Sequence, residues 1–210
     1  MGRRARRPLG PPRIVEVAAG TRLWRVSRDP LGTAFSTSTR AGRFSPLLAP
    51  DGSIIASWYG AETEAGAIFE SVFHDIRPSH HAPRVFSNQY IDRVLAPVRT
   101  TRPLVLIDLT TDGLHAIGLS RTALIESTSR RYSWTSDIAA ELRAAAPTAH
   151  GMVWVSRARD TSRSVVLYGD LDVIEPDRGA FALALGAGAG LHLLRELAIA
   201  ARITVVLPAR

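Results

Sequence analysis

A short strand pattern that runs almost directly into an amphipathic helix constrains the fold more than any other part of the sequence. Residues 54–59 have the composition of a strand, and residues 63–76 repeat apolar side chains at helical spacing. Thr63 is a suitable N-cap, because its hydroxyl can accept a hydrogen bond from the first turn of the helix. This unit predicts a domain that contains both strands and packed helices.

Other segments add to this framework. Residues 29–52 are rich in Gly, Pro, Ser and Thr and are predicted to form a long loop. Residues 179–207 indicate a packed helix and a last strand, because their apolar run is too short to span a membrane. A further helix is predicted at residues 138–146. Further strands are predicted at residues 14–17, 21–27 and 104–109, and a hairpin at residues 152–156 and 164–168.

The net charge of +7 is concentrated in one place. Five of the 26 basic residues, and none of the 19 acidic ones, lie in residues 1–13, so the rest of the chain has a net charge of only +2. We therefore expect a flexible basic arm over residues 1–13 rather than a basic stripe for nucleic acid. The basic start lacks the apolar stretch of a secretory signal, so the expected location is the cytoplasm.

The chain has no cysteine, which excludes disulfides, thiolate metal sites and a cysteine nucleophile. The six histidines form no metal-ligand pattern, and no metal is expected. The glycine-rich loops of nucleotide-binding P-loops and of dinucleotide-binding domains are also absent.

Two charged residues stand in apolar surroundings. Arg25 interrupts the strand pattern LWRV, where an unpaired guanidinium would be costly to bury. Glu70 interrupts AIFESVF at the edge of the apolar face of the predicted helix. By themselves these residues also fit a structural salt bridge and a solvated helix position. Glu70 and His74, four residues apart, could share a metal but have no evident third ligand.

The order of the motifs is more specific than any one of them. The chain reads LWRVS, AGRF, ASWYGAETEAGAIFES, VLIDLTT, YSWTSDIAAEL and GMVWVSRAR. This series resembles the RES-domain family, bacterial toxins named for recurrent Arg, Glu and Ser residues. The resemblance covers about residues 23–168, as the core of one domain over residues 14–210 with a C-terminal extension at 179–207.

The resemblance implies a role for individual residues. It assigns the family's strand arginine to Arg25, the aromatic residue before the helix to Tyr59 and the helix carboxylate to Glu70, and it implies that these three are catalytic. Its implied substrate-binding residues are the loop arginine Arg43 and a serine, which is either Ser133 or Ser156. The chain departs from the family pattern where Phe44 replaces a common Trp.

The resemblance also implies a fold and an activity. The fold would be α+β and similar to ADP-ribosyltransferases, with a split, mostly antiparallel sheet and a cleft for NAD. The activity would be cleavage of the nicotinamide–ribose bond of NAD as substrate, with phosphate, water or a protein side chain as acceptor. An Arg fork suits the diphosphate, and a carboxylate suits the positive charge that develops on the ribose.

The resemblance further implies a toxin of a toxin–antitoxin pair, inhibited by a helix-turn-helix-type antitoxin that enters the cleft. Nucleic acid would then be reached only through the antitoxin, and the oligomeric state is left open. Two other functions are kept as alternatives. One is a catalytically silent RES-like domain that binds a nucleotide or a partner, and the other is a basic nucleic-acid-binding protein.

Overall fold

A curled, mixed β-sheet is the framework of the fold in the computed structural model, which describes residues 8–40, 42–76, 83–169 and 172–208. Strands β1 to β13 are Ile14–Val17, Arg22–Ser27, Leu47–Leu48, Ile54–Ile55, Ser57–Ala61, Arg84–Val85, Val94–Thr100, Leu104–Asp108, Gly151–Val155, Arg163–Tyr168, Ile174–Pro176, Leu183–Ala184 and Thr204–Val205. Helices α1 to α5 are Glu64–Phe69, Thr111–Ala116, Arg121–Leu124, Tyr132–Ala145 and Gly188–Ala200, and short 3₁₀ turns cover Ser87–Gln89 and Ser129–Arg131.

The main sheet has the strand order β1-β8-β9-β10-β5-β2-β7-β11, with β12 paired to β7. Its neighbours are antiparallel except for β8 and β9, which run parallel. In the described residues, the pairing of β2 with β5 is recorded at one position, Trp24 opposite Ala61, after which the two strands diverge. The expected α+β fold with a split, mostly antiparallel sheet is therefore confirmed.

The two faces of the sheet have different apolar cores. One face encloses a core that includes Leu23, Trp58 and Leu167. The other face is covered by helices: α4 packs over Trp154 and its neighbours, and α1 and α5 pack over a core that includes Phe73. Alternation along β2 places Leu23 on the first face and Trp24 and Val26 on the second.

The helix after β5 is shorter than the sequence predicts. Thr63 is its N-cap, and its Oγ1 accepts a hydrogen bond of 3.0 Å from the amide of Gly66. Instead of reaching residue 76, α1 ends at Phe69, and irregular turns follow. The Ser71 hydroxyl donates to the carbonyl of Ala67, a bond that competes with regular helical geometry. Phe73 stays buried in the core, so the predicted apolar face persists without the helix.

Strand β7 is a central element that the sequence did not predict. It pairs with β2 along six positions, from Arg22 opposite Arg99 to Ser27 opposite Val94. Pro97 lies inside it, and a proline argues against a central strand when only the sequence is known. The predicted hairpin is confirmed as β9 and β10, and α4 begins six residues before the helix predicted at 138–146.

Both ends of the described chain pack against the body. Leu9 packs on the helical core, and the Asp108 amide donates to the carbonyl of Arg13 at 2.9 Å. Residues 8–13 thus differ from the flexible arm expected over 1–13, whose first seven residues lie outside the described ranges. At the other end, α5 and β13 match the predicted helix and last strand. Across the described ranges, every helix is too short or too polar to cross a membrane.

Candidate active site

A cavity of about 620 Å³ opens where β2 and β5 diverge. Gly60 lies in its wall, and an added Cβ there would lie 2.1 Å from the Trp58 ring and 3.0 Å from the Trp24 carbonyl oxygen. The residues that line it are Trp24, Arg25, Val26, Arg40, Gly42, Arg43, Tyr59, Gly60, Ala67, Glu70, Ser71, His74, Asp75, Ser129, Tyr132, Trp154 and Ser164. They come from β2, β5, β9, β10, α1 and α4 and from the loops between them, so the fold assembles the cavity from distant parts of the sequence.

Glu70 is the carboxylate of this cavity. It is the C-cap residue of α1, and its backbone amide donates to the Gly66 carbonyl at 2.9 Å. The Ser156 hydroxyl donates to Glu70 Oε1 at 2.6 Å, and His74 Nδ1 lies 3.7 Å from Glu70 Oε2. Each carboxylate oxygen therefore has its own polar neighbour, which fixes the orientation of the group.

The surroundings of Glu70 favour its ionised form. Burial alone would raise the pKa of Glu70, but the nearby imidazole of His74, the hydrogen bond from Ser156 and the positive charge of Arg43 outweigh it and leave the pKa below its ordinary value. The cavity therefore presents a negative charge at neutral pH.

Arg43 supplies the opposing positive charge. Its side chain is 94% buried, one guanidinium nitrogen donates to the carbonyl of Ile125, and the guanidinium lies 5.6 Å from the centre of the Tyr132 ring. Its Nη2 is buried without a hydrogen-bond partner. Burial, opposed by Tyr132 and reinforced by the charge of Arg157, lowers the pKa of Arg43. Because Arg43 lines the cavity, its charge is suited to an anionic ligand.

Arg25 is the second cation that the sequence analysis selected. Its guanidinium lies 5.7 Å from the centre of the Trp58 ring, and one nitrogen donates to the carbonyl of Ala34. Burial lowers its pKa to about 10, which the charge of Asp29 partly opposes, so it remains charged at neutral pH. Arg25 makes no ion pair among the recorded contacts of the described residues, which differs from the structural salt bridge that the sequence left open.

Tyr59 and Trp154 form an aromatic wall. Their rings lie 6.4 Å apart at 72°, and the Tyr59 hydroxyl donates to Ser45 Oγ at 3.0 Å. Burial raises the pKa of Tyr59 to about 12, so the phenol stays neutral. A flat apolar ring system could stack on this wall.

The two candidate serines have different positions. Ser156 is fully buried behind Glu70, and it accepts hydrogen bonds from the amides of Ala158 and Arg159 at 3.2 and 3.1 Å. Ser133 is exposed at the start of α4 and is not part of the cavity lining. The structure thus brings Glu70 and Ser156 together, with Arg43 close enough to affect the carboxylate, and leaves Ser133 apart.

Sequence reasoning missed several polar residues of the cavity, and three of them are distinguished by their contacts or burial. His74 was considered only as a metal ligand, although its position four residues after Glu70 also predicts a direct contact. Tyr132 precedes Ser133 in the same motif and is the residue that reaches the cavity. Ser164 is buried with an unpartnered hydroxyl, and nothing in its sequence surroundings distinguishes it. Among the described residues, no group of three or more His, Asp or Glu side chains could hold a metal ion.

Comparison with models of protein families shows to which family the chain belongs. The family model described as the RES domain matches residues 22–182, well over half of the 210 residues. The chain belongs to the RES-domain family. The matched region contains the predicted core and all six of the site residues that the sequence selected. A search of curated proteins finds none that matches significantly.

A solved structure has a fold similar to that of this chain. The chain is similar to one in the crystal structure of the M. tuberculosis MbcT–MbcA toxin–antitoxin complex. The TM-score is 0.56, the identity is 15%, and the match covers 88% of this chain and 92% of the other. At this identity the likeness shows a shared fold.

Proposed function

We propose that this RES-domain protein is an NAD-consuming toxin that cleaves the nicotinamide–ribose bond. The observation that carries the proposal is the position of Glu70, an ionised carboxylate oriented by Ser156 in a cavity that the cationic Arg43 also lines. This pairing of charges fits a ligand that is anionic at one end and becomes cationic at the other.

The chemistry follows from the charges. When the C–N bond between ribose and nicotinamide breaks, its electron pair leaves with nicotinamide and positive charge develops on the ribose. The Glu70 carboxylate would stabilise that charge, and the gain is largest in a site that excludes water. Phosphate, water or a protein side chain would then add to the ribose carbon. No step requires a metal.

The other residues would bind and orient NAD. The Arg43 fork would pair with the diphosphate, because a guanidinium donates two parallel hydrogen bonds to phosphate oxygens. Arg25 would contact a second phosphate or ribose oxygen, and Tyr59 with Trp154 would pack against the nicotinamide ring. Ser156 would act through Glu70, by holding its carboxylate in place.

We further propose that a partner protein inhibits this activity, as expected for a toxin that consumes a cytoplasmic cofactor. The related fold in the M. tuberculosis structure belongs to a toxin–antitoxin complex. A helix-turn-helix-type antitoxin that places an acidic side chain or terminal carboxylate in the cavity would pair with Arg43 as a phosphate does. NAD and such a partner would then compete.

The decisive experiment is incubation of the purified protein with NAD, with and without phosphate, and identification of the products by mass. Release of nicotinamide is expected, and the second product identifies the acceptor. NAD binding without turnover would instead support the silent RES-like domain. Binding of nucleic acid whose affinity falls steeply with salt, without NAD binding, would support the nucleic-acid-binding alternative.

A further inference from the structure

The wall of the cavity contains a chain of three polar side chains from two separate segments. The Tyr132 hydroxyl lies 2.9 Å from His74 Nε2, and the other ring nitrogen of His74 lies 3.7 Å from Glu70 Oε2. Tyr132 is the first residue of α4. Glu70 is the C-cap residue of α1, and His74 lies in the turns that follow this helix. The proposed function assigns no role to Tyr132 or His74.

Contacts other than their mutual hydrogen bond hold Tyr132 and His74 in place. The Tyr132 side chain is buried, and the Arg43 guanidinium lies over its ring. The His74 carbonyl accepts a hydrogen bond from the Arg157 guanidinium. The histidine is therefore fixed through its backbone, and the tyrosine through its ring, so the bond between their side chains sets the orientation of the imidazole.

The geometry selects one neutral form of the imidazole. A bare Nδ1 would direct its lone pair at the Glu70 carboxylate and be repelled by it. If the Tyr132 hydroxyl donates to Nε2, the imidazole proton is on Nδ1 and is directed at Glu70 Oε2. Ser156 already donates to Oε1, so each carboxylate oxygen then faces one polar hydrogen, at hydrogen-bond distance from Ser156 and at a longer distance from His74.

We propose that Tyr132 and His74 are a positioning pair, in which the Tyr132 hydroxyl holds His74 as the Nδ1–H tautomer so that its N–H is directed at Glu70 Oε2 and keeps the carboxylate oriented. This inference rests on the proposed function for its effect on catalysis, but the tautomer can be tested without it. The role resembles the orientation of an imidazole by a second hydrogen-bond partner in other enzyme sites.

Other charged groups also act on this pair. Arg43 faces both Tyr132 and Glu70 from the loop before β3, and Arg157 faces the His74 carbonyl from the turn after β9. Asp75 lines the same cavity. These groups stay in place when the tyrosine hydroxyl alone is removed, so any change in the titration of Glu70 reports on the Tyr132–His74 bond.

The first test compares Tyr132→Phe with Tyr90→Phe. Tyr90 is the matched control, because its hydroxyl also makes one hydrogen bond, to the Val206 carbonyl at 3.0 Å, and Tyr90 is not part of the cavity lining. In Tyr132→Phe, kcat for NAD cleavage should fall about tenfold with little change in KM, and the acidic limb of the pH–rate profile should move to higher pH. Wild-type kcat and pH profile in Tyr132→Phe would overturn the proposal.

The second test needs no NAD. Nitrogen-15 NMR of the histidine side chains at about pH 8 distinguishes the two neutral tautomers, and the signal of His74 is assigned by its loss in His74→Asn. The Nδ1–H form is expected in the wild type and a shift toward the Nε2–H form in Tyr132→Phe. An Nε2–H form in the wild type would refute the pair even if NAD cleavage is confirmed, whereas the Nδ1–H form with no NAD cleavage would count against the proposed function alone.

Discussion

The Ser156 hydroxyl donates a hydrogen bond of 2.6 Å to Glu70 Oε1 across 86 positions of sequence. Ser156 Oγ itself accepts hydrogen bonds from two successive backbone amides, those of Ala158 and Arg159. Because its acceptor capacity is used by the backbone, the hydroxyl proton is available for the carboxylate. The turn after β9 therefore holds the carboxylate of Glu70, the C-cap residue of α1, in one orientation.

Replacing Glu70 tests the proposed catalysis most directly. Glu70→Gln keeps the size of the side chain but removes the charge that would face the ribose cation. We expect NAD cleavage to fall about 100-fold or more, with a melting temperature close to that of the wild type. Cleavage is measured by nicotinamide release. Wild-type turnover in this variant would contradict the catalytic assignment.

Ser156→Ala should test the orientation of the Glu70 carboxylate without removing its charge. Loss of the hydrogen bond should lower kcat by about tenfold or more and raise the pKa of Glu70, since that bond lowers it. The carboxylate is active when ionised, so the acidic limb of the pH–rate profile should move to higher pH. Ser127→Ala is the control, because this buried hydroxyl donates to the Leu124 carbonyl. Equal effects of the two variants would indicate general destabilisation only.

The arginines should affect binding of NAD. Arg43→Ala and Arg25→Ala should each raise KM by about tenfold, because each removes contacts present before the bond breaks. Arg25→Lys should rescue only in part, since an ammonium lacks the planar fork. Arg28→Ala is the control, as Arg28 pairs with Asp92 at the surface. Normal NAD binding by both cavity variants in calorimetry would make these arginines structural.

Deleting residues 1–13 should leave NAD cleavage intact, because none of the described residues in this range lines the cavity. The melting temperature should fall, because Leu9 packs on the helical core and Arg13 forms an ion pair with Asp112 at 3.3 Å. Leu9→Ala alone should reproduce part of that fall. A large loss of activity at a temperature where the shortened protein stays folded would show that the arm helps to build the cavity.

Asp177 should matter for stability rather than for activity. Its buried carboxylate accepts hydrogen bonds from Arg22, the Gly179 amide and Arg99, and these hold its pKa at about 2. A carboxylate with a lowered folded-state pKa stabilises the protein above its unfolded pKa of about 4, and this contribution is lost as the pH falls toward 2.

The matching variant is Asp177→Asn. It should lower the free energy of unfolding by about 1–2 kcal/mol near neutral pH, allowing for the solvent exposure of both arginines. The difference from the wild type should shrink in acid. Urea unfolding at several pH values measures it, and Asp92→Asn is a surface control. A difference that does not change with pH would rule out the ionised form of Asp177 as the cause.

The sequence predicted the parts of the site that local patterns record. Arg25 in its strand and Glu70 in its predicted helix are visible as polar interruptions of apolar periodicity, and the hairpin that leads into Ser156 with its first strand is visible as two apolar runs around a polar turn. The early end of α1 could not be predicted, because it depends on the Ser71 hydroxyl and on tertiary contacts of the following turn. Strand β7 was missed because its hydrogen bonding comes from β2, which outweighs the effect of Pro97.

The contact between Tyr132 and His74 was beyond sequence reasoning for a similar reason. The two residues are 58 positions apart, and no local pattern joins them. Ser164 could not be selected from the sequence either, since what distinguishes it is a hydroxyl that is buried in the folded protein without a hydrogen-bond partner.

The divergence of β2 and β5 divides the main sheet into two halves, β1-β8-β9-β10-β5 and β2-β7-β11. One half ends at β5 and contributes Tyr59, and the other begins at β2 and contributes Arg25. Hydrogen bonding between the halves is recorded in the described residues at one bridge, and apolar cores on both faces hold the halves together. A ligand that contacts Arg25 on one side and Tyr59 on the other would add a further link between the halves, so its binding should raise the melting temperature of the protein.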